Sequence, residues 1–181
     1  MRLFIAFKVS KEVEEHSASL QKILSESPAR ARLNLAKSFH LTLKFLGEVT
    51  PQKAEQVKEK LKEVKFKSFT AVLNGAGFFP GKKYVRVVWV GIEPAEQIIE
   101  LQEEIEKALK GLFPKEKRFH PHITLARVKN VEDKNAFIEQ IQSLPVEPLK
   151  FAVKEIALIE SKLSPEGPKY TTLAVFPAQT L

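Results

Sequence analysis

Hydrophobic and polar residues follow one another along this chain in patterns that predict short strands alternating with amphipathic helices. The run RLFIAFKV over residues 2–9 is apolar and rich in strand-forming residues, so it predicts a buried strand. Ser10 follows it as a helix N-cap, and apolar residues at helical spacing predict a helix over 11–25. A basic loop containing Pro28 separates this helix from a strand with strict alternation around His40.

The strand around His40 is predicted to have one apolar and one polar face, because side chains on a strand point alternately to its two sides. The apolar face would consist of Phe39, Leu41, Leu43 and Phe45. The opposite face would carry His40, Thr42 and Lys44. The alternation therefore puts an imidazole and a hydroxyl side by side on the polar face.

The same order of elements continues to the end of the chain. Thr50 and Pro51 predict a helix start, a strand is predicted near 68–74, and the glycine-rich segment NGAGFFPGKK at 74–83 predicts a turn. The elements predicted for the second half are a strand over 84–92, a helix opened by Pro94, a strand containing His122, a helix near 132–143, and strands near 149–160 and 169–176. The second half thus repeats the order of the first.

Equivalent landmarks in the two halves lie at a nearly constant offset. His40 and His122 are 82 residues apart, and Val49 and Val131 keep the same offset of 82. An internal duplication explains this agreement, with repeats of approximately 1–83 and 84–181 inside a single two-lobed domain. Chance resemblance between two generic strand-helix units is the alternative.

Composition narrows the class of protein. With 181 residues, 44% of them hydrophobic, the chain suits one domain or two small lobes that share a core. The absence of cysteine excludes disulfides and thiolate metal sites. The N-terminal apolar run MRLFIAF is too short for a signal-peptide core or a membrane span, so we expect a cytoplasmic protein with no membrane partner. We also expect a monomer.

The formal net charge of +7 adds an expectation about partners. A basic surplus favours an anionic partner such as RNA, a nucleotide or another phosphate ester. Each individual basic cluster is equally compatible with an ordinary solvated surface.

Two His-x-Thr pairs are the strongest chemical signal in the sequence. His40 with Thr42, and His122 with Thr124, each stand between large apolar residues. A single histidine on a strand is more often a half-buried structural residue. Two such pairs facing each other would supply a base and an acid for phosphoryl transfer, because one imidazole can remove a proton while the other donates one. The threonine hydroxyls could donate hydrogen bonds to non-bridging phosphate oxygens.

The segments FHLTLKFLGEV and FHPHITLAR resemble the two His-x-Thr-x signatures of the two-histidine phosphoesterases. The chain is most similar to the bacterial and archaeal RNA 2′,3′-cyclic phosphodiesterases, long called 2′-5′ RNA ligases. The similarity extends over essentially the full chain and includes the closing KYTTLAVF. It implies a bilobal α+β fold, with two antiparallel sheets lining a central cleft and helices on the outside.

The resemblance also implies a reaction and roles for named residues. A 2′,3′-cyclic phosphate end of RNA, for example on tRNA fragments, would be hydrolysed to a 2′-phosphomonoester without metal or other cofactor. His40 would be the proton donor and His122 the proton acceptor, while Thr42 and Thr124 would hold the phosphate. Arg127 matches a basic residue that follows the second signature, but it lies five residues after His122. An ideal strand would aim it away from the cleft unless a bulge turned it back.

Other readings stay open from the sequence. The same site run backward would give minor 2′-5′ ligation. The substrate could instead be a small cyclic nucleotide such as ADP-ribose 1″,2″-cyclic phosphate, and a non-catalytic module that binds RNA or nucleotides is the alternative from another class.

Several residues near the signatures have no assigned role. His120 shares the parity of His122, which suits a position at the cleft edge or a structural one. The segment AGFFPGKKY at 76–84 departs from a phosphate-binding loop at two positions, which disfavours an ATP-driven ligase. Tyr84 and Tyr170 occupy matching places in the repeats and could stack on a base or pack in the core.

Overall fold

Two antiparallel sheets and four helices make up the α+β fold of residues 1–180, which are the residues that this computed structural model describes. Leu181, the last residue of the predicted second repeat, lies outside them. The strands are β1 (Arg2–Lys8), β2 (Ala31–Leu35), β3 (His40–Glu48), β4 (Phe69–Gly81), β5 (Tyr84–Glu93), β6 (His122–Val131), β7 (Lys150–Val153), β8 (Glu155–Lys162) and β9 (Lys169–Pro177). The helices are α1 (Lys11–Ser25), α2 (Pro51–Leu61), α3 (Ala95–Ala108) and α4 (Lys134–Gln142).

Each sheet contains strands from both halves of the chain. The first sheet has the order β3-β1-β8-β9, and the second has the order β2-β6-β5-β4-β7. Thus β8, from the second half, pairs with β1, and β4, from the first half, pairs with β5. The two histidine strands, β3 and β6, approach each other with Cα atoms within 8 Å. The bilobal fold is confirmed, and the duplication that would explain it stays a prediction.

The helices lie outside the sheets and bury one apolar stripe each. Ser10 caps α1 by accepting a hydrogen bond from the Val13 amide at 3.3 Å. Helix α1 contacts β2 and β6, α4 contacts β4, and α3 contacts a strand of each sheet, β3 and β5. The fully buried helix residues include Val13, Leu20 and Leu24 of α1 and Ile98, Leu101 and Ile105 of α3. No helix within residues 1–180 is long and apolar enough to cross a membrane.

Strand boundaries differ from the predictions in three places. The single strand predicted near 149–160 is two strands, β7 in the second sheet and β8 in the first, separated at Lys154. The second strand, β2, lies in the segment predicted to be a basic loop, and it pairs with β6. Its short sequence does not predict a strand, because backbone hydrogen bonds to β6 stabilise it and not its own side-chain pattern. The segment predicted to turn at 74–83 is mostly strand, since β4 continues to Gly81. Gly77 is required there, because a Cβ at this position would lie 2.5 Å from the Trp89 ring.

A β-bulge in β3 overturns the predicted faces of its second half. Ala6 pairs with Thr42, but the next residue back, Ile5, pairs with Lys44, so Leu43 is the extra residue. Beyond this bulge the alternation is inverted. Phe45, predicted on the apolar face, is 67% exposed on the side of His40, whereas Lys44, predicted beside His40, is buried.

Lys44 is accommodated in the core by a buried ion pair. Its Nζ lies 2.8 Å from Glu106 Oε1, 3.0 Å from Glu106 Oε2 and 2.9 Å from the carbonyl oxygen of Pro114. Gln102 also donates to Glu106 Oε1, at 2.8 Å. The ion pair connects β3 with α3. Because both charges are paired and hydrogen-bonded, these interactions offset the cost of removing them from water.

We expect Lys44→Met to lower the free energy of unfolding by about 3–5 kcal/mol, because it leaves the Glu106 carboxylate buried and unpaired. Urea denaturation monitored by circular dichroism measures this loss. Lys58→Met, which breaks the more exposed pair with Glu55, is the control and should cost at most about 1 kcal/mol. Equal losses in the two variants would contradict the proposed weight of the buried pair.

Candidate active site

A cleft of about 810 Å³ lies between the two sheets, and side chains from both histidine strands line it. His40 and Thr42 contribute from β3, and Thr124 and Arg127 contribute from β6. His122 precedes Thr124 by two residues, so it lies on the same face of β6. The fold therefore brings both predicted His-x-Thr pairs to one region.

Aromatic side chains surround His40. The centroid of its ring lies 5.0 Å from that of Phe4 and 5.5 Å from that of Tyr170, which meets it edge-on. Phe4 is itself buried in a small cluster with Ala6, Ala157 and Ile159. This apolar bed leaves the imidazole half-buried and poorly hydrated.

His122 has its own aromatic neighbours and a defined tautomer. Its ring centroid lies 5.0 Å from Phe79 and 6.3 Å from Trp89. Its Nδ1 is 2.6 Å from the carbonyl oxygen of His120, and a carbonyl can only accept, so Nδ1 carries a hydrogen. In the neutral ring, the lone pair is then on Nε2, which is the atom able to accept a proton.

Both imidazoles are held away from their charged form. Burial lowers the pKa of His40 to about 4, and the nearby charge of His122 adds to the effect. Burial also lowers the pKa of His122, although the hydrogen bond to the His120 carbonyl opposes this change. The charges of His120 and Arg127 lower it further. An anion bound between the histidines would favour protonation of both.

A second bulge decides the position of Arg127. Trp89 pairs with Thr124 and Val88 pairs with Ala126, so Leu125 is the extra residue in β6. Without the bulge, the spacing of five residues from His122 would put Arg127 on the opposite face of β6. With it, the exposed Arg127 lines the cleft beside Thr124. The bulge falls at the same offset as the one in β3, so Phe45 and Arg127 occupy equivalent positions on facing strands.

The cleft also contains residues that sequence patterns did not single out. Arg2 and Lys37 line it, as does the exposed ring of Phe45. Alternation along β1 puts Arg2 on the same face as Phe4 and Ala6, and this pattern could have predicted that Arg2 lies in the cleft. Lys37 lies in a loop, where no such alternation predicts the direction of its side chain.

The two tyrosines at matching places in the repeats have different surroundings. Tyr170 lines the cleft next to His40, whereas Tyr84 is 66% exposed at the start of β5, away from the cleft-lining residues.

Among the described residues, no three histidine, aspartate or glutamate side chains are grouped as metal ligands.

We expect the folded protein to lose stability as the pH falls from 6.5 towards 4. In this window the unfolded chain takes up a proton at His40, whose ordinary pKa is 6.5, whereas the folded protein, with that pKa lowered to about 4, does not. The unfolded state is therefore favoured, by at most about 3 kcal/mol. Urea denaturation at several pH values should show a smaller loss in His40→Gln than in wild type.

Gln56→Ala provides the control for this titration, because Gln56 is an exposed, uncharged residue of α2 outside the cleft. Its pH dependence should follow that of the wild type. If His40→Gln showed the same pH dependence as the wild type, the inference that His40 is buried and neutral in the folded protein would be wrong.

Comparison with known proteins assigns the family. The family model described as the 2′-5′ RNA ligase superfamily matches residues 9–164. The RNA 2′,3′-cyclic phosphodiesterase of Methanothermobacter thermautotrophicus is 32% identical over 180 residues, covering 97% of this chain and 98% of the relative. The protein of the same name from Thermotoga maritima is 36% identical over 176 residues, covering 96% and 93%.

A solved structure agrees with these sequence relatives. The crystal structure of TT0787 of Thermus thermophilus superimposes with a TM-score of 0.81 at 29% identity, covering 98% of this chain and 97% of that one. The family match and the full-length relatives are consistent with the His-x-Thr pairs in the cleft. This chain belongs to the 2′-5′ RNA ligase superfamily.

Proposed function

We propose that this protein is an RNA 2′,3′-cyclic phosphodiesterase, which hydrolyses a 2′,3′-cyclic phosphate end to a 2′-phosphomonoester. The observation that carries the proposal is the cleft between the two sheets, which His40 and Thr42 line from β3 and Thr124 lines from β6. His122 lies two residues before Thr124 and near enough to His40 for its charge to lower the pKa of His40. The names of the full-length relatives support the same activity. Both supports concern the whole chain, so we further propose that it acts as a single two-lobed domain.

The proposed reaction needs one proton acceptor and one proton donor. His122 Nε2 removes a proton from water, whose oxygen attacks phosphorus and forms the new P–O bond. The bond from phosphorus to the ribose 3′ oxygen breaks, and His40 supplies the proton that this oxygen takes up. The Nδ1–H of His122, held by the His120 carbonyl, supports its assignment as acceptor.

The donor role requires that His40 be protonated when substrate is bound. Its lowered pKa leaves it neutral in the free protein at neutral pH. A cyclic phosphate diester brings a negative charge next to the ring, and opposite charge raises the pKa of an imidazole. The substrate itself would therefore load the proton that the reaction consumes.

Hydroxyl and guanidinium groups are suited to hold the phosphate. Thr42 and Thr124 stand one pleat from their histidines and could donate to the two non-bridging oxygens. Arg127 lines the cleft next to Thr124 and offers a permanent charge for the same oxygens. Donors placed around developing negative charge are a major source of rate enhancement.

RNA suits the remaining surface of the cleft. Arg2 and Lys37 add positive charge, and the exposed ring of Phe45 offers a stacking surface for a base. Ends of tRNA fragments are one source of such RNA. A cytoplasmic location and a monomeric state stay predictions.

Ligation would be the same chemistry in reverse, with an RNA 5′ hydroxyl in place of water as the attacking group. Water is present at far higher concentration than any RNA end. We therefore propose that 2′-5′ ligation is minor unless the two ends are held together.

We expect His40→Ala and His122→Ala each to reduce turnover at least about 100-fold, because each removes one arm of the acid–base pair. Product analysis after incubation of a cyclic-ended RNA in EDTA measures the loss and also tests independence from metal ions. His16→Ala should keep wild-type turnover. Near-normal rates in either cleft variant, or a strict metal requirement, would exclude this mechanism.

We also expect a bell-shaped dependence of kcat/KM on pH, with its maximum below pH 6.5. The active form carries one proton on the histidine pair, and the pKa values of both histidines are lowered in the free protein. The rate should fall above the maximum as the pair loses its proton, and fall towards pH 4 as both rings become charged. Steady-state rates between pH 3.5 and 9 give this profile, and a maximum above pH 6.5 would contradict it.

A further inference from the structure

A second cavity, of about 380 Å³, continues from the cleft on the far side of His40. The two cavities share a wall that is made of Lys37, Ser38, His40, Pro168 and Tyr170. The hydrolysis proposed above uses only the larger one. The smaller cavity is adjacent to the reacting position and has no role in that mechanism.

Lys8 is placed in the second cavity by the pairing of β1 with β3. It is the direct cross-strand partner of His40, so the two side chains lie on the same face of the first sheet. Alternation along β1 puts Arg2, Phe4, Ala6 and Lys8 on this face. Arg2 lines the larger cavity and Lys8 the smaller one, about 20 Å apart along the strand, with Lys8 at the end that is level with His40.

Lys37 stands in the wall between the two cavities. Its Cε and Nζ lie 3.1 Å from the position that a Cβ on Gly167 would occupy. Gly167 also has a φ of +112°, which other residues rarely adopt. The glycine therefore leaves room for the lysine side chain at the junction.

Positive charge prevails in the second cavity. Glu14 is the one carboxylate among its lining residues, against the two ammonium groups of Lys8 and Lys37. Within residues 1–180, neither lysine Nζ lies within 4.0 Å of a carboxylate oxygen. Lysines on the helices differ, as Lys60 and Lys62 on α2 are both paired with glutamates. Unpaired ammonium groups beside a cleft favour a phosphate ligand.

We propose that the second cavity binds the phosphodiester that precedes the terminal nucleotide, with Lys8 and Lys37 as its ligands. The proposal rests on the proposed function, which puts the cyclic phosphate at His40 and the terminal nucleoside in the larger cavity. In this arrangement the rest of the RNA would leave past His40, where the cationic cavity begins. The preferred substrate is then an oligonucleotide, because a cyclic mononucleotide cannot reach this subsite.

The double variant Lys8→Gln/Lys37→Gln tests the subsite. Its kcat/KM is measured on a short single-stranded RNA with a 2′,3′-cyclic end and on the corresponding 2′,3′-cyclic mononucleotide. We expect the ratio of the two values to fall at least tenfold, mainly through KM of the RNA. The dependence of log kcat/KM on log salt should weaken by about 0.7 for each phosphate contact that is lost.

Lys60→Gln/Lys62→Gln is the matched control, because it removes the same charge from the exposed face of α2. This control should keep the wild-type ratio, and Lys8→Arg/Lys37→Arg should largely restore it. Thermal unfolding checks that each variant is folded. A ratio equal to that of the control, or an equal loss on both substrates, would overturn the subsite.

Binding separates failure of the subsite from failure of the proposed function. If the wild type hydrolysed neither substrate, the proposed function would fall. Fluorescence anisotropy would then compare a 2′-phosphate-ended RNA with the nucleoside 2′-phosphate as a competitor. Tighter binding of the RNA that Lys8→Gln/Lys37→Gln abolishes supports the subsite, and equal binding by variant and wild type overturns it.

Discussion

Backbone pairing between the two halves of the chain is the constraint on which the rest of this structure depends. Because β8 pairs with β1 and β4 pairs with β5, neither sheet can form from one half alone. The same pairing fixes how β3 and β6 approach each other. The separation of His40 and His122 is therefore set by main-chain hydrogen bonds and a shared core, and not by a flexible hinge between lobes.

Two bulges at equivalent places then adapt the facing strands to different tasks. Each bulge returns the fifth residue after a histidine to the cleft, which is Phe45 on one side and Arg127 on the other. An aromatic ring favours a base or a sugar, whereas a guanidinium favours a phosphate. In β3 the bulge also turns Lys44 inward, where Glu106 neutralises it.

The sequence predicted most of the fold because its periodicities are clear, and the limits of the prediction are specific. Helices α1 and α2 begin after the predicted caps, and α3 begins after Pro94 as predicted. The five candidate site residues come from the paired motifs and a family resemblance, and their roles stay predictions. The exchanged faces of Lys44 and Phe45 were missed, because a bulge inserts a residue without changing the local pattern. β2 was missed because its stability comes from pairing with β6. The position of Lys37 in the cleft could not be predicted, because it depends on the conformation of the loop around Gly167.

The position opposite His122 gives the cleft a direction. Gly91 pairs with His122 as Lys8 pairs with His40, but a Cβ on Gly91 would collide with the backbone oxygen of Asn74. A lysine at position 91 would therefore require the backbone of β4 to shift. The two histidines therefore differ in their surroundings: an ammonium side chain stands opposite His40, whereas the rings of Phe79 and Trp89 lie around His122. If the cleft binds RNA as proposed, this asymmetry would distinguish the two directions in which a strand can lie.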